Sequence, residues 1–268
     1  MTFQPFVPGS GLSGWTLLKS TLPVQKTIFN RSTPTASDSG YFLEKFDLIN
    51  SPDDIVSDRR LLRVVLGAYG LSDDIENRFF IRKVLTDGVA DQSALANKLA
   101  DRRYRALARD FDFSKQPPGH KTLQGLAQKT VENFQNTSFE IEIGKASEDM
   151  RLALGFAREL GNLQRSASSS STAWYQVLAT PPLREVFQTA LGLPKEFAQL
   201  DIDEQHKRLM DKAQTVFGSN DLLELAAEGQ SEQIVRRFLL LRQVQSMSGA
   251  TPLQTALVLL SGIPRTAR

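Results

Sequence analysis

Between Ser51 and Phe111 the chain is punctuated so closely that short packed helices are the structures that satisfy it. Ser51-Pro52-Asp53-Asp54 offers a capping hydroxyl, a proline for the first turn and carboxylates beside the positive end of a helix dipole. Leu62, Val65, Leu66 and Tyr69 then recur at helical spacing, and Gly70 can take the left-handed conformation that ends a helix. This predicts one helix from Ser51 to about Tyr69. The same logic predicts a second from about Asp73 to Asp87-Gly88 and a third from Ser93 to Phe111. In the third, Leu95, Leu99, Tyr104, Leu107, Ala108 and Phe111 make the buried side. Lys98, Arg102, Arg105 and Arg109 make a basic stripe on the other.

Elsewhere the punctuation is looser. Residues 1–40 hold only four charges, Lys19, Lys26, Arg31 and Asp38, among many Ser, Thr, Gly and Pro, and read as an irregular or mobile segment. Its Trp15, Leu17, Leu18, Leu22 and Phe29 would still prefer burial. After Pro117-Pro118-Gly119 the next proline is Pro181, which leaves room for a long helix or helix pair over about 122–165. Phe139-Glu140-Ile141-Glu142-Ile143 alternates like a strand, although its surroundings favour helix. Ser166 to Ser171 reads as a linker or an exposed helix end. Helices are expected at about 182–191, 203–217, 220–227, 231–246 and 252–261. The reading is all-α, with about nine to eleven helices in a bundle at 41–165 and another at 172–268, and it leaves open whether the two pack as one. Leu183 to Leu193 lies in register over Leu61 to Leu71, with Leu, Val, Ala, Gly and Leu recurring at 61/183, 64/186, 68/190, 70/192 and 71/193. Amphipathic helices ending in Gly-Leu resemble one another, so the match leaves internal duplication an open alternative.

The chemistry is quiet. With 41% hydrophobic residues and 16 Phe the chain can bury a core, and 32 basic against 30 acidic residues give a net charge of +2, too little to imply a polyanionic partner over the whole surface. The absence of Cys removes disulfides, thiolate nucleophiles and Cys-ligated zinc. The first residues lack a secretory n-region and h-region, and the longest apolar runs fall far short of the roughly 20 residues that cross a bilayer, so a cytoplasmic protein is expected. Gly9 to Gly14 matches the dinucleotide fingerprint, but Pro5 and Pro8 disrupt the strand that must precede it. His120 and His206, the two histidines, have no ligand spacing around them. Asp53/Asp54, Asp73/Asp74 and Asp201/Asp203/Glu204 are candidate oxygen ligands that helix capping explains more simply. There is no G-x-S-x-G elbow and no P-loop. No catalytic residue, metal ligand or cofactor is therefore assigned. Lys98, Arg102, Arg105 and Arg109 remain as a stripe for a partner or a nucleic acid, balanced by Asp91, Asp101 and Asp110.

Several segments carry a resemblance: Phe42-Leu43, Asp58 to Leu62, Ala68-Tyr69-Gly70-Leu71, Phe80 to Leu85, Ala96 to Tyr104, Gly14-Trp15 through Thr21, and Leu191 to Pro194 with Phe197-Ala198. Together they resemble an uncharacterised alphaproteobacterial family, the domain of unknown function numbered twelve-seventeen. The resemblance implies an all-helical fold and genes found within flagellar clusters, and it carries no active site to transfer. It leads to the expectation of a flagellum-associated, non-enzymatic interaction protein with flagellar or other proteins as partners, acting in assembly, regulation or as a minor structural part. A Ser/Thr-rich N-terminus and the lack of Cys also suit export through the flagellar secretion channel. A nucleic-acid-binding regulator and an enzyme of unidentified class are the alternatives.

Overall fold

The computed structural model describes residues 3–7, 9–113, 124–166 and 169–246, and among these every regular element is helical. They form fourteen α-helices, eleven of seven or more residues, somewhat above the expected count. The helices are α1 (Gly11–Arg31), α2 (Thr33–Lys45), α3 (Pro52–Ser57), α4 (Arg59–Ala68), α5 (Arg78–Asp87), α6 (Leu95–Lys98) and α7 (Arg102–Asp110). They continue as α8 (Gln124–Ala146), α9 (Glu148–Ser166), α10 (Ser170–Ala179), α11 (Pro181–Ala190), α12 (Ile202–Phe217), α13 (Leu222–Leu225) and α14 (Glu228–Ser246).

Two of the expected helices are split by an aspartate that caps a new one. Asp58 accepts from the N–H groups of Arg60 at 2.8 Å and Leu61 at 3.2 Å, so the helix expected from Ser51 to Tyr69 becomes α3 and α4. Asp101 accepts from Arg103 N–H at 2.9 Å and, with Leu99 extended, divides the helix expected over Ser93–Phe111 into α6 and α7. The start of α3 is as expected, with Ser51 and Asp54 completing a capping box. Phe139 to Ile143 is helical inside α8: Phe139 and Ile143, four apart, are buried, while Ile141 faces out.

The expected irregular N-terminus is instead mostly helix. Trp15, Leu18, Gln25 and Phe29 fall on one side of α1 and are buried there, whereas Leu17, on the other side, is exposed and Leu22 is half-buried. The hydroxyls that argued against helix turn back onto it: Thr16 donates to the Leu12 carbonyl at 2.9 Å, Thr21 to Leu17 at 3.0 Å and Thr27 to Pro23 at 2.8 Å. Burial has overridden local preference. The serine run likewise ends in structure, because Ser169 caps α10 by accepting from Thr172 N–H at 3.2 Å. The helix expected at 252–261 lies outside the described residues.

By packing, the chain divides into two compact units, one containing Leu22–Glu142 and one containing Phe6–Thr21 with Ile143 onward. The division passes through α1 and α8 and not through the serine run. In the first unit Phe42, Phe46, Ile55, Leu62, Val65 and Phe111 lie in one buried cluster with Val131 and Phe134 of α8. In the second, Phe187 of α11 meets Phe156 of α9 and Trp174 of α10, with ring centroids 5.2 and 5.0 Å away.

The element order repeats. A long helix, one residue, a second helix, then a pair joined by one residue, a 3-10 turn, a helix, a four-residue helix and a last helix describe both α1 to α7 and α8 to α14, with an extra 3-10 turn, Phe46–Leu48, after the second helix of the first run. The one-residue joints are Ser32 and Asp58 in the first run and Ser147 and Thr180 in the second. Some contacts repeat as well: α2 with α4, α3 with α4 and α3 with α5 correspond to α9 with α11, α10 with α11 and α10 with α12, whereas α14 packs on α9 and α11 and α7 packs on α5. So do the helix ends. Leu71 N–H donates to Leu66 and Gly70 N–H to Gly67, as Leu193 N–H does to Gln188 and Gly192 N–H to Thr189. Gly70 and Gly192 have φ of 69° and 66°, which an L side chain adopts only with strain. These coincidences extend the register match of the sequence to the order of elements, as an internal duplication would.

Candidate functional site

The sequence offers four tyrosines, and each uses its hydroxyl in the same way, as a donor to an aspartate on another element. Tyr41 donates to Asp58 at 2.6 Å, Tyr69 to Asp110 at 3.0 Å, Tyr104 to Asp74 at 2.6 Å and Tyr175 to Asp203 at 2.7 Å. Asp58 shows how much converges on one carboxylate. One oxygen takes the two N–H groups that start α4 and the other takes the Tyr41 hydroxyl. Burial works against its charge, but the hydroxyl and the N–H groups outweigh burial and hold its pKa below the usual carboxylate value. The same bond raises the pKa of Tyr41. For Tyr69 and Tyr104 burial is the first cause of a raised pKa and the paired aspartate the next.

Beside Tyr41 and Asp58 lies a recess of about 280 Å³, lined also by Lys45, Asp54 and Ser57. It is open, and its polar groups are engaged. Asp54 accepts from the N–H groups of Asn50 at 2.9 Å and Ser51 at 2.8 Å, which keeps its pKa low, and the Ser57 hydroxyl donates to the Asp53 carbonyl at 2.6 Å. The Arg60 guanidinium sits 4.1 Å from the Tyr41 ring centroid and pairs with Asp38, which also holds Arg63 at 2.8 Å. At neutral pH this recess presents an ionised cap and a protonated phenol bonded to it. Its chemistry is that of a joint between α2, α3 and α4.

Replacing Asp58 with alanine is expected to lower stability by about 1–2 kcal/mol at pH 7, from a lost cap and an unpaired phenol. Because the folded pKa is depressed, this contribution is present above the unfolded value of about 3.9 and disappears as pH falls through the folded pKa. Urea midpoints of wild type and variant should therefore differ at pH 7 and converge in acid; equal gaps at both would refute the charge-linked role.

The expected basic stripe is only partly assembled. Arg102, Arg105 and Arg109 share one exposed face of α7, within about 60° of arc, but Lys98 ends the separate helix α6. Arg109 pairs with Asp110 at 3.0 Å. Of the candidate oxygen ligands, Asp54 completes a capping box, Asp53 pairs with Arg82, Asp74 accepts from Tyr104, and Asp201 caps α12 through Asp203 N–H at 2.9 Å. Among the described residues no three His, Asp or Glu side chains are grouped as metal ligands. His206 stacks on Tyr175 with centroids 4.2 Å apart, and His120 lies outside the described residues. Sequence reasoning missed the tyrosine–aspartate pairs, since their partners lie 17 to 41 residues apart with no shared motif.

The family model described as a protein of unknown function, DUF1217, matches residues 68–225, from the end of α4 to the end of α13. The chain belongs to this family. The DUF1217 match runs through both compact units, so the family is defined by more than either one. A crystal structure of a structural-genomics protein from Agrobacterium tumefaciens is similar to the chain, with a TM-score of 0.69 at 27% identity over 91% of this chain and 99% of that one. No curated protein matches. Among the described residues no helix is long and apolar enough to cross a membrane.

Proposed function

We propose that this DUF1217 protein is a non-enzymatic interaction protein of the flagellar system, working in assembly, regulation or as a minor structural part, in the cytoplasm or at the flagellum. The flagellar part rests on the gene neighbourhood that the family resemblance implies. The interaction part rests on Phe79, which is 82% exposed on the outer side of α5 in a chain that buries most of its other phenylalanines. The Arg82 guanidinium lies 5.4 Å from its ring centroid, which leaves an aromatic side chain in water beside a cation. Such a side chain gains most from entering a partner's pocket. The nucleic-acid reading is less favoured, because three arginines flanked by Asp101 and Asp110 release few counterions.

The test is an in-frame deletion in the bacterium that carries the gene, complemented with wild type or with Phe79→Ala and scored for swimming and for filaments. Deletion is expected to impair swimming and wild type to restore it. Phe79→Ala is expected to restore it incompletely, in line with the loss of about 2 kcal/mol, or roughly 30-fold in affinity, at an aromatic anchor. Unchanged swimming with normal filaments in the deletion would remove the flagellar assignment, and full rescue by Phe79→Ala would remove Phe79 as the anchor.

A further inference from the structure

The first half of α1 is held in an unusual way for a helix that carries buried side chains. Its sequence, Gly11 to Leu22, contains two glycines and four Ser or Thr, a composition with low intrinsic helicity. Only Trp15 and Leu18 among its side chains are fully buried. It lies along α14 in the opposite direction, with Gly11 against Gln243 and with Trp15 and Lys19 at Glu232. Gly14 lies so close to its bed that an added Cβ would stand 3.1 Å from the Met150 methyl, and 2.7 Å from the carbonyl of Gly9.

One carboxylate closes this arrangement. Glu232 accepts from the Trp15 indole N–H at 3.1 Å, from Lys19 Nζ at 2.9 Å and from Arg236 Nε at 3.0 Å. Immediately after the arm comes Pro23, inside α1, where it can donate no hydrogen bond to the Lys19 carbonyl and its ring crowds that turn. The division of the chain into compact units falls beside it, between Thr21 and Leu22. The weak turn, the two buried anchors and the two donors to Glu232 therefore coincide within a dozen residues. The corresponding first helix of the other run, α8, has no proline.

We propose that Gly11–Thr21 is a releasable strap, hinged at Pro23 and latched by Glu232, which undocks from α9 and α14 as one segment while the rest of its unit stays folded. Undocking frees the surface under Trp15 and Leu18 and turns Glu232 toward water, so the latch sets how often that surface is open. This inference does not depend on the flagellar reading.

Native-state hydrogen exchange on the full chain tests it. In the wild type the amides of residues 12–21 are expected to exchange together and at least about 10-fold faster than the buried amides of α11, since the strap opens below global unfolding. Glu232→Ala, which removes the acceptor of two strap donors, is expected to speed strap exchange by about 10- to 100-fold and to leave α11 within about 2-fold. Trp15→Phe keeps an aromatic side chain but shortens it and removes one donor, and serves if the first variant does not fold; it is expected to speed exchange of the same amides alone. Pro23→Ala restores the missing donor and should slow strap exchange relative to wild type. Strap amides that exchange at the rate of α11 and move with α11 in every variant would overturn the proposal, because α1 would then open only when its unit unfolds.

Discussion

Phe187→Ala is expected to lower the stability of the protein by about 4 kcal/mol. Phe187 is fully buried, and its ring is the point at which α9, α10 and α11 meet, edge-on to both Phe156 and Trp174. Truncation removes the transfer free energy of a whole aromatic side chain and leaves a hole bounded by two other rings, which cannot close without tilting the helices that carry them. The melting temperature should fall by roughly 10 °C or more. Both tryptophans, Trp15 and Trp174, lie in the same unit as Phe187, whereas Tyr41, Tyr69 and Tyr104 lie in the other. Tryptophan fluorescence during urea unfolding therefore reports the damaged unit, and far-UV circular dichroism reports both. If the units unfold separately, the fluorescence midpoint drops and the dichroism splits into two steps; if they unfold together, the curves shift as one. Phe79→Ala, which removes an aromatic group of the same size from water, is the control and should cost less than about 0.5 kcal/mol. A Phe187→Ala loss no larger than the Phe79→Ala loss would refute this account of the core.

Gly67 gives the second large effect, with the sign reversed from what a helix scale predicts. It lies in α4, where alanine would ordinarily gain about 1 kcal/mol over glycine. Here a Cβ would stand 2.7 Å from Cδ2 and 3.1 Å from Cε2 of Phe134, a buried ring on α8 that is stiff and has no free end to swing away. Overpacking should exceed the propensity gain, so Gly67→Ala is expected to destabilise by about 1 kcal/mol and Gly67→Leu by about 3 kcal/mol. Pairing Gly67→Ala with Phe134→Leu should recover part of the loss, and a double-mutant cycle in urea measures how much. A more stable Gly67→Ala would mean that Phe134 yields freely and that α4 and α8 are less tightly packed than the distances say.

The legible parts of this fold were those written in local chemistry. Ser51 with Asp54, and Gly70 and Gly88 beyond α4 and α5, mark helix ends by stereochemistry that needs no tertiary partner, and the structure places helix ends there. The register of 61–71 over 183–193 was equally local, and it extended to a repeat in the order of elements. The failures share a cause. Asp58 and Asp101 each fit a helical period, and sequence alone does not say whether an aspartate lies along a helix or turns to cap the next one. Residues 11–31 were misread because their helix is fixed by what it packs against, including a glutamate more than two hundred positions away. Of the basic stripe, Arg102, Arg105 and Arg109 survive as a face only because the break fell before Asp101, and Lys98 dropped out for the same reason. The tyrosine–aspartate pairs had no sequence signal, being contacts between elements whose separation the topology sets.

The four one-residue joints, Ser32, Asp58, Ser147 and Thr180, limit how such a chain can change in length. A single residue inserted at any of them must be absorbed by a joint with no slack, so the following helix shifts or turns about its axis and carries a buried stripe toward solvent. Runs built this way cannot drift by small insertions inside each helix pair; growth has to enter where the chain already runs longer between α-helices, as it does from Gly88 to Ala94 and from Gly192 to Asp201. Relatives that differ in length are expected to keep these four elbows at one residue and to place their gaps in those longer spans.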